Sequence, residues 1–211
     1  MRIITGHTKE EKLILEALEM ILTRRSTRSY SSAPVEREKL EKIIEAGRYA
    51  PSGGNNQTNH FIVVQNPDVL QKLASLAEDA FAKMEVTEQT YSSLKSSILQ
   101  SKKGGYIFYY RAPVLIIVAN QKNYGNNIAD CAVAVENLML AANALDLGSC
   151  WINQLKWLNE EPEILNYLRE LGLKENERVY SSMIVGYPKS NDGKPNRTPL
   201  PRKGNEVTFI N

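Results

Sequence analysis

The chain has 211 residues, 42% of them hydrophobic and 24% charged, which excludes a disordered or low-complexity segment and fits one compact domain over residues 1–211. Lys and Arg number 26 against 24 Asp and Glu. A net charge of +2 supplies no broad field for wrapping nucleic acid or holding an acidic membrane surface, so any anion binding must be local.

The opening MRIITGHTKEEK has no apolar run of signal-peptide length, and the longest strongly apolar run, Val114 to Ala119, is far too short to span a bilayer. A cytoplasmic location is the expectation. From Glu10 to Thr23, Leu13, Ile14, Ala17, Leu18, Ile21 and Leu22 recur at helical spacing and predict an amphipathic helix. A second helix is expected from Glu36 to Tyr49, stopped by Pro51 and followed by the loop PSGGNNQTN. His60 to Gln65 is short, apolar and β-branched and reads as a buried strand; Asn66 then caps a helix through Phe81. A weaker, polar helical stretch continues to about Gln100.

Pro113 to Ala119 is a continuous apolar strand, expected at the centre of a sheet covered on both faces. The Ala-rich stretch from Asn126 carries Ile128, Ala132, Val135, Leu138, Met139, Ala142 and Leu145 on one helical face, with Gly148 as its expected stop. A strand SCWIN, a helix from Asn159 to Leu171 and a strand VYSSMIVG follow. The segment from residue 189 to 211 has no helical period and reads as an extended arm, ordered only by lying on something.

Much chemistry is missing. His7 and His60 stand far apart with no Cys at ligand spacing, so no metal site is expected. There is no nucleophile elbow, Walker loop or dinucleotide fingerprint. His60 reads as a hydrogen-bonded edge residue, and Cys131 and Cys150 as small buried hydrophobes. Two segments stand out. Thr23 to Tyr30 holds three Arg and several hydroxyls, which suit a phosphate but equally complement the end of a helix. PSGGNNQTN offers backbone freedom and amides to the polar edge of a flat ligand, or is a surface turn.

Taken in order along the chain, five segments resemble the FMN-dependent nitroreductase family. These are R-R-S-x-R (Arg24 to Arg28), P-S-x-x-N-x-Q with a later Phe (Pro51, Ser52, Asn55, Gln57, Phe61), A-P-V-L-I (Ala112 to Ile116), an Asp-led apolar helix ending in G-S-C-W-I (Asp130 to Ile152), and G-Y-P (Gly186 to Pro188). The resemblance implies an α+β, three-layer α/β/α fold with a mixed central sheet. It also implies a homodimer with an FMN at each of two interfacial sites and a C-terminal arm exchanged between subunits.

Carried over residue by residue, the resemblance gives Arg24, Ser26 and Arg202 to the FMN phosphate, a further backbone or side-chain contact to Arg25, and Arg28 to the ribityl chain and the flavin N1/O2 edge. Pro51, Ser52, Gly53, Asn55 and Gln57 reach the flavin from the other subunit, and Trp151, Ile152, Asn153 and Gln154 lie beside or under its ring. The implied reaction is ping-pong: NADH or NADPH delivers a hydride to flavin N5, and a nitroaromatic or quinone-like small molecule takes two electrons. No protein side chain is then needed as nucleophile. A non-catalytic FMN-binding or storage protein and specialised branches (dehalogenase, flavin-consuming or peptide-heterocycle oxidase) stay open. The chain departs from the family at Thr58-Asn59, where Pro-Trp is usual, at Asn153-Gln154, where Gly-Gly is common, and at Leu200, where a basic residue is common and Arg197 or Lys203 would substitute. The segment Phe81 to Tyr110 is implied to be a lid over the substrate.

Overall fold

The computed structural model describes residues 17–210; His7 and the predicted start of the first helix lie outside them. Residues 17–23 are helical (α1). After them come α2 (Arg37–Arg48), β1 (His60–Val64), α3 (Pro67–Lys83), α4 (Ser92–Lys103), β2 (Val114–Gln121) and α5 (Asn127–Ala144). The chain finishes through β3 (Gly148–Ile152), α6 (Gln154–Trp157), α7 (Pro162–Glu170) and β4 (Glu177–Gly186). Asn66 caps α3 as expected, its side chain accepting the N–H groups of Asp68 and Val69.

β2 organises the core. Its side chains alternate across the sheet, and both faces are dry: Leu115, Ile117 and Ala119 pack with Leu73, Phe81, Ile98, Leu155 and Leu168 on one side. Val114, Ile116 and Val118 pack with Leu40, Ile43, Val135 and Leu138 on the other. Three layers result, with α2 and α5 on one face and α3, α4, α6 and α7 on the opposite face. An apolar run with no polar alternation is what burial on two faces demands.

The strand order is β1-β2-β4-β3, and all three ladders are antiparallel. The expected mixed character is confined to one parallel bridge, Ser26 to Ser149. Helices and strands do alternate along the chain, but β4 lies between β2 and β3, so the α5 crossover never makes them neighbours.

Three local expectations need correction. Gly148 does not stop α5: the helix ends at Ala144, Asp146 makes the reversal at φ 59°, and Gly148 opens β3. A Cβ on Gly148 would stand 2.8 Å from Thr27 Cβ, so this glycine exists to let another segment approach. The helix expected from Asn159 is α7, which starts only at Pro162, and a short unexpected helix, α6, precedes it directly after β3. Ile128, placed on the inner face of α5, is 53% exposed.

Candidate functional site

The segment after α1 runs along the free edge of β3. Ser26 bridges Ser149, Thr27 N–H donates to Ser149 C=O at 2.8 Å, and the missing Cβ of Gly148 admits the Thr27 side chain. Ser31 N–H donates to Tyr187 C=O and Lys189 N–H to Ser29 C=O, fixing the exit of the segment to the G-Y-P turn. Arg24, Ser26 and Arg28 are thereby gathered around Cys150, whose thiol feels all three, although burial dominates and pushes it up. Arg24 lies 3.6 Å from Glu136; among the described residues Arg25 and Arg28 have no carboxylate partner. Arg25 donates to the Thr198 carbonyl, and Arg28 stands 6.0 Å from the Tyr110 ring centroid.

The second station is the loop after α2. Pro51, Ser52, Asn55 and Gln57 line a cleft of about 470 Å³ together with Glu45, Tyr49, Asn59 and Phe61. Its backbone is unusual: Gly54, Asn55 and Gln57 all take positive φ, at 59°, 54° and 51°. What holds it is a residue from α5. Asp130, 4% exposed, accepts the Gly53 N–H on both carboxylate oxygens and the Tyr124 hydroxyl at 2.9 Å. A Cβ on Gly53 would meet Asn126 Nδ2 at 2.0 Å and Tyr124 Oη at 2.6 Å, so any other residue here would push these two side chains aside. Asn59 adds a bond to the Asp130 carbonyl and accepts from Asn120.

At the turn after β3, Ile152 is buried and Trp151 is half-buried against the α2–α5 side of the core, its indole N–H donating to Asn153 Oδ1 at 2.9 Å. Gln154 is buried and bonded to Asn153 N–H and to Tyr106. The arm begins on its own chain: Arg197 pairs with Asp146 at 2.8 Å and with Asn143, and Lys194 pairs with Asp146 at 3.2 Å. Burial opposes ionisation of Asp146, yet these two cations hold its carboxyl below the usual range. Arg197 is thus committed to fastening the arm, while Arg202 and Lys203 are exposed, as is everything through residue 210.

Within one chain the two stations do not form one pocket. No residue of Arg24–Arg28 or of Trp151–Gln154 lines the cleft of the loop. Sequence reasoning named Asp130 as the head of a helix but gave it no role. An acid in the first turn of an otherwise apolar, Ala-rich helix was the available signal, since a buried carboxylate needs specific donors. Tyr124 and Tyr106 carried no signal, because each joins its near neighbour to a distant one, Gly53 for Tyr124 and Gln154 for Tyr106.

The other polar groups take structural roles. His60, on the edge strand, sits 2.7 Å from Glu177 Oε2 as a hydrogen-bonded edge residue. Cys131 is pushed up to about 12 by burial and then by the Asp130 charge, so it is a neutral thiol with no nucleophilic character near neutrality. No group of His, Cys, Asp and Glu able to hold a metal occurs among the described residues, and no helix among them is long and apolar enough to cross a membrane.

The sequence profile of the nitroreductase family matches residues 21–187. The chain belongs to the nitroreductase family. A Bacteroides fragilis nitroreductase, solved with bound FMN, superposes on this member with a TM-score of 0.81, at 36% identity over 93% of this chain and 99% of that one. An Archaeoglobus fulgidus protein with the provisional name NADH dehydrogenase/NAD(P)H nitroreductase is 35% identical over 179 residues, 82% of this chain and 86% of its own. Rat iodotyrosine deiodinase 1 is 34% identical over 207 residues, 88% of this chain and 68% of its own.

This nitroreductase-family chain has a residue set that fits FMN on its own geometry. Three guanidinium groups within five residues, only one near a carboxylate among the described residues, form a phosphate-ready cation cluster. Gly54, where a Cβ would have nothing nearer than 3.7 Å, leaves room for backbone to approach a flat ring.

Proposed function

We propose that the protein is a cytoplasmic FMN-dependent oxidoreductase, a single-domain chain working as a homodimer, which uses NADH or NADPH to reduce a nitroaromatic or quinone-like acceptor. The observation that carries the reading is the Arg24–Arg28 segment bonded along β3, with guanidinium groups left over for an anion. The separation of this station from loop 51–57 supports the dimer, since a site shared between two copies joins halves that one copy keeps apart. So do exposed apolar side chains on α1 (Leu18, Ile21, Leu22), α5 (Ile128, Val133) and the arm (Val207, Phe209, Ile210), which a second copy would take out of water.

When bound, FMN supplies two-electron hydride exchange between the nicotinamide and the acceptor. In this reading Arg24, Arg25 and Ser26 bind its phosphate, joined by Arg202 of the arm. Arg28 places positive charge where the reduced ring carries negative charge, a preorganised electrostatic contribution. Pro51, Ser52, Gly53, Asn55 and Gln57 of the second copy close the site, and Trp151 to Gln154 form its floor. The protein's work is orientation and charge.

A second acceptor class, a halogenated phenol, is favoured by the 34% identity to iodotyrosine deiodinase 1. The test is steady-state turnover of FMN-loaded protein with 4-nitrobenzoate, menadione and 3-iodotyrosine in turn, each with NADH and NADPH. Parallel double-reciprocal lines with the nitro or quinone acceptor support the proposal; iodide release with no nitro or quinone turnover replaces it with the second reading. Flavin that is held but never reduced leaves a binding protein.

A further inference from the structure

The turn after β3 and the segment joining α3 to β2 meet at one buried amide. Gln154 Nε2 donates to Tyr106 Oη at 2.9 Å and lies 3.5 Å from Ser97 Oγ, while its Oε1 accepts the Asn153 N–H at 3.1 Å. The Tyr106 hydroxyl passes the chain on to Ser97 Oγ at 2.9 Å, and Ser97 donates to the Ser93 carbonyl at 3.2 Å. With the Ser97 hydrogen given to the Ser93 carbonyl, the Tyr106 hydrogen goes to Ser97 Oγ, and the network runs in a single direction from the turn into α4. Tyr106 is held at its backbone too, its N–H donating to Glu78 Oε1 of α3 at 2.9 Å.

α4 buries Ser97, Ile98 and Ser101 and leans Leu94 on the same core, and its buried polar attachment runs through Ser97 to Tyr106. Gly104 and Gly105, at φ 84° and 80° with open space where each Cβ would stand, directly precede Tyr106. At the other end of the segment, Tyr91 packs edge-on against Trp157 of α6 at 6.2 Å. α4 is therefore tied to α6 on both sides, by the aromatic contact of Tyr91 before it and by the amide contact of Tyr106 after it. Glycine at position 154 would make neither of the amide's bonds.

We propose that Gln154 and Tyr106 form a latch that holds segment 84–105 closed over the turn after β3, making Gln154 a positioning residue that sets the acceptor site. The inference rests on the reading that this turn floors the FMN site. A closed cover fixes the volume left for the acceptor, and releasing it loosens acceptor binding while the phosphate station on the far side of β3 is untouched.

The experiment compares FMN-loaded wild type, Gln154→Ala, Tyr106→Phe and the double variant by amide hydrogen exchange, by KM for 4-nitrobenzoate and by FMN dissociation constant. Each single substitution should speed exchange across residues 92–103 roughly fivefold, the loss of one neutral hydrogen bond. It should also raise KM by a similar factor, and Tyr106→Phe should keep the wild-type FMN affinity. The double variant should match the larger single effect, because the two side chains act as one unit. Multiplying effects, or unchanged exchange in Tyr106→Phe, would overturn the latch. Faster exchange with an unmoved KM would confine the pair to packing and overturn its positioning role. If the wild type holds no flavin, the FMN reading fails by itself, and exchange still decides whether the latch exists.

Discussion

The backbone N–H of Gly53 lies 3.2 and 3.3 Å from the two carboxylate oxygens of Asp130, 77 residues further along the chain. This contact joins the Asn-rich loop to the first turn of α5, where a negative charge also suits the helix dipole. The loop's positive-φ residues, Asn55 and Gln57, are strained for non-glycine side chains and keep their conformation only because neighbouring contacts over-determine it.

Asp130→Ala should therefore release the loop. It leaves the Gly53 N–H without its acceptor, at a cost of about 1–3 kcal/mol, while the Tyr124 hydroxyl keeps only the Gly53 carbonyl. Chemical denaturation measures that cost, and FMN titration should show weaker binding. Asp130→Asn, which keeps one carbonyl acceptor, should fall between wild type and Ala.

Gly148→Ala tests the approach of the Arg segment to β3. The new methyl meets Thr27 Cβ and Cγ2 at 2.8 Å, atoms too close to the backbone to swing away. Overpacking of this kind costs about 1–3 kcal/mol. The strand pairing at Ser26 and Ser149 should open, and thermal unfolding should show the loss. Thr27→Gly in the same chain should restore part of it.

Arg24→Ala should lower FMN affinity on the order of tenfold or more, the value of a charge-assisted contact. Its contact with Glu136 is partly exposed and 3.6 Å long, worth about 0–1 kcal/mol, so the fold should survive. Equilibrium dialysis of FMN and circular dichroism read the two effects separately; unchanged affinity defeats the phosphate assignment.

Much of the fold was legible because β2 has no polar residue from Val114 to Ala119, and such a run has only a two-sided core to go to. The Asn66 cap and the Pro51 stop were legible because each acts on its immediate neighbours. Gly148 was misread for the same reason: a glycine after a helix looks like a stop, and its actual neighbour, Thr27, is 121 positions earlier. The antiparallel order was hidden because alternation along the chain does not say which strand inserts between two others. At the site, Arg24 to Arg28 and loop 51–57 announce themselves by composition, whereas Asp130 and the Gln154–Tyr106 pair act through contacts 77 and 48 residues apart.

The stability of the sheet edge should depend on acid pH through Glu177. Burial opposes its charge, yet the His60 ring, the Lys174 N–H and the nearby cations hold the carboxyl below its ordinary value of 4.5. A carboxyl depressed in the folded state contributes stability that is complete above its unfolded value and is lost as the pH falls through the folded one. Unfolding free energy should thus decline below about pH 4.5, and Glu177→Gln should flatten that decline while lowering stability at pH 7 by about 1–3 kcal/mol. An unchanged slope in the variant would remove Glu177 as its source.

Whether the Arg segment and the 51–57 loop serve a redox-active flavin is read from an anaerobic visible spectrum of the purified protein before and after NADH, then NADPH. An oxidised-flavin spectrum, either as purified or after FMN is added, should bleach in one step with one of the two donors. A chain that takes up no flavin, or flavin that neither donor bleaches, would contradict that role.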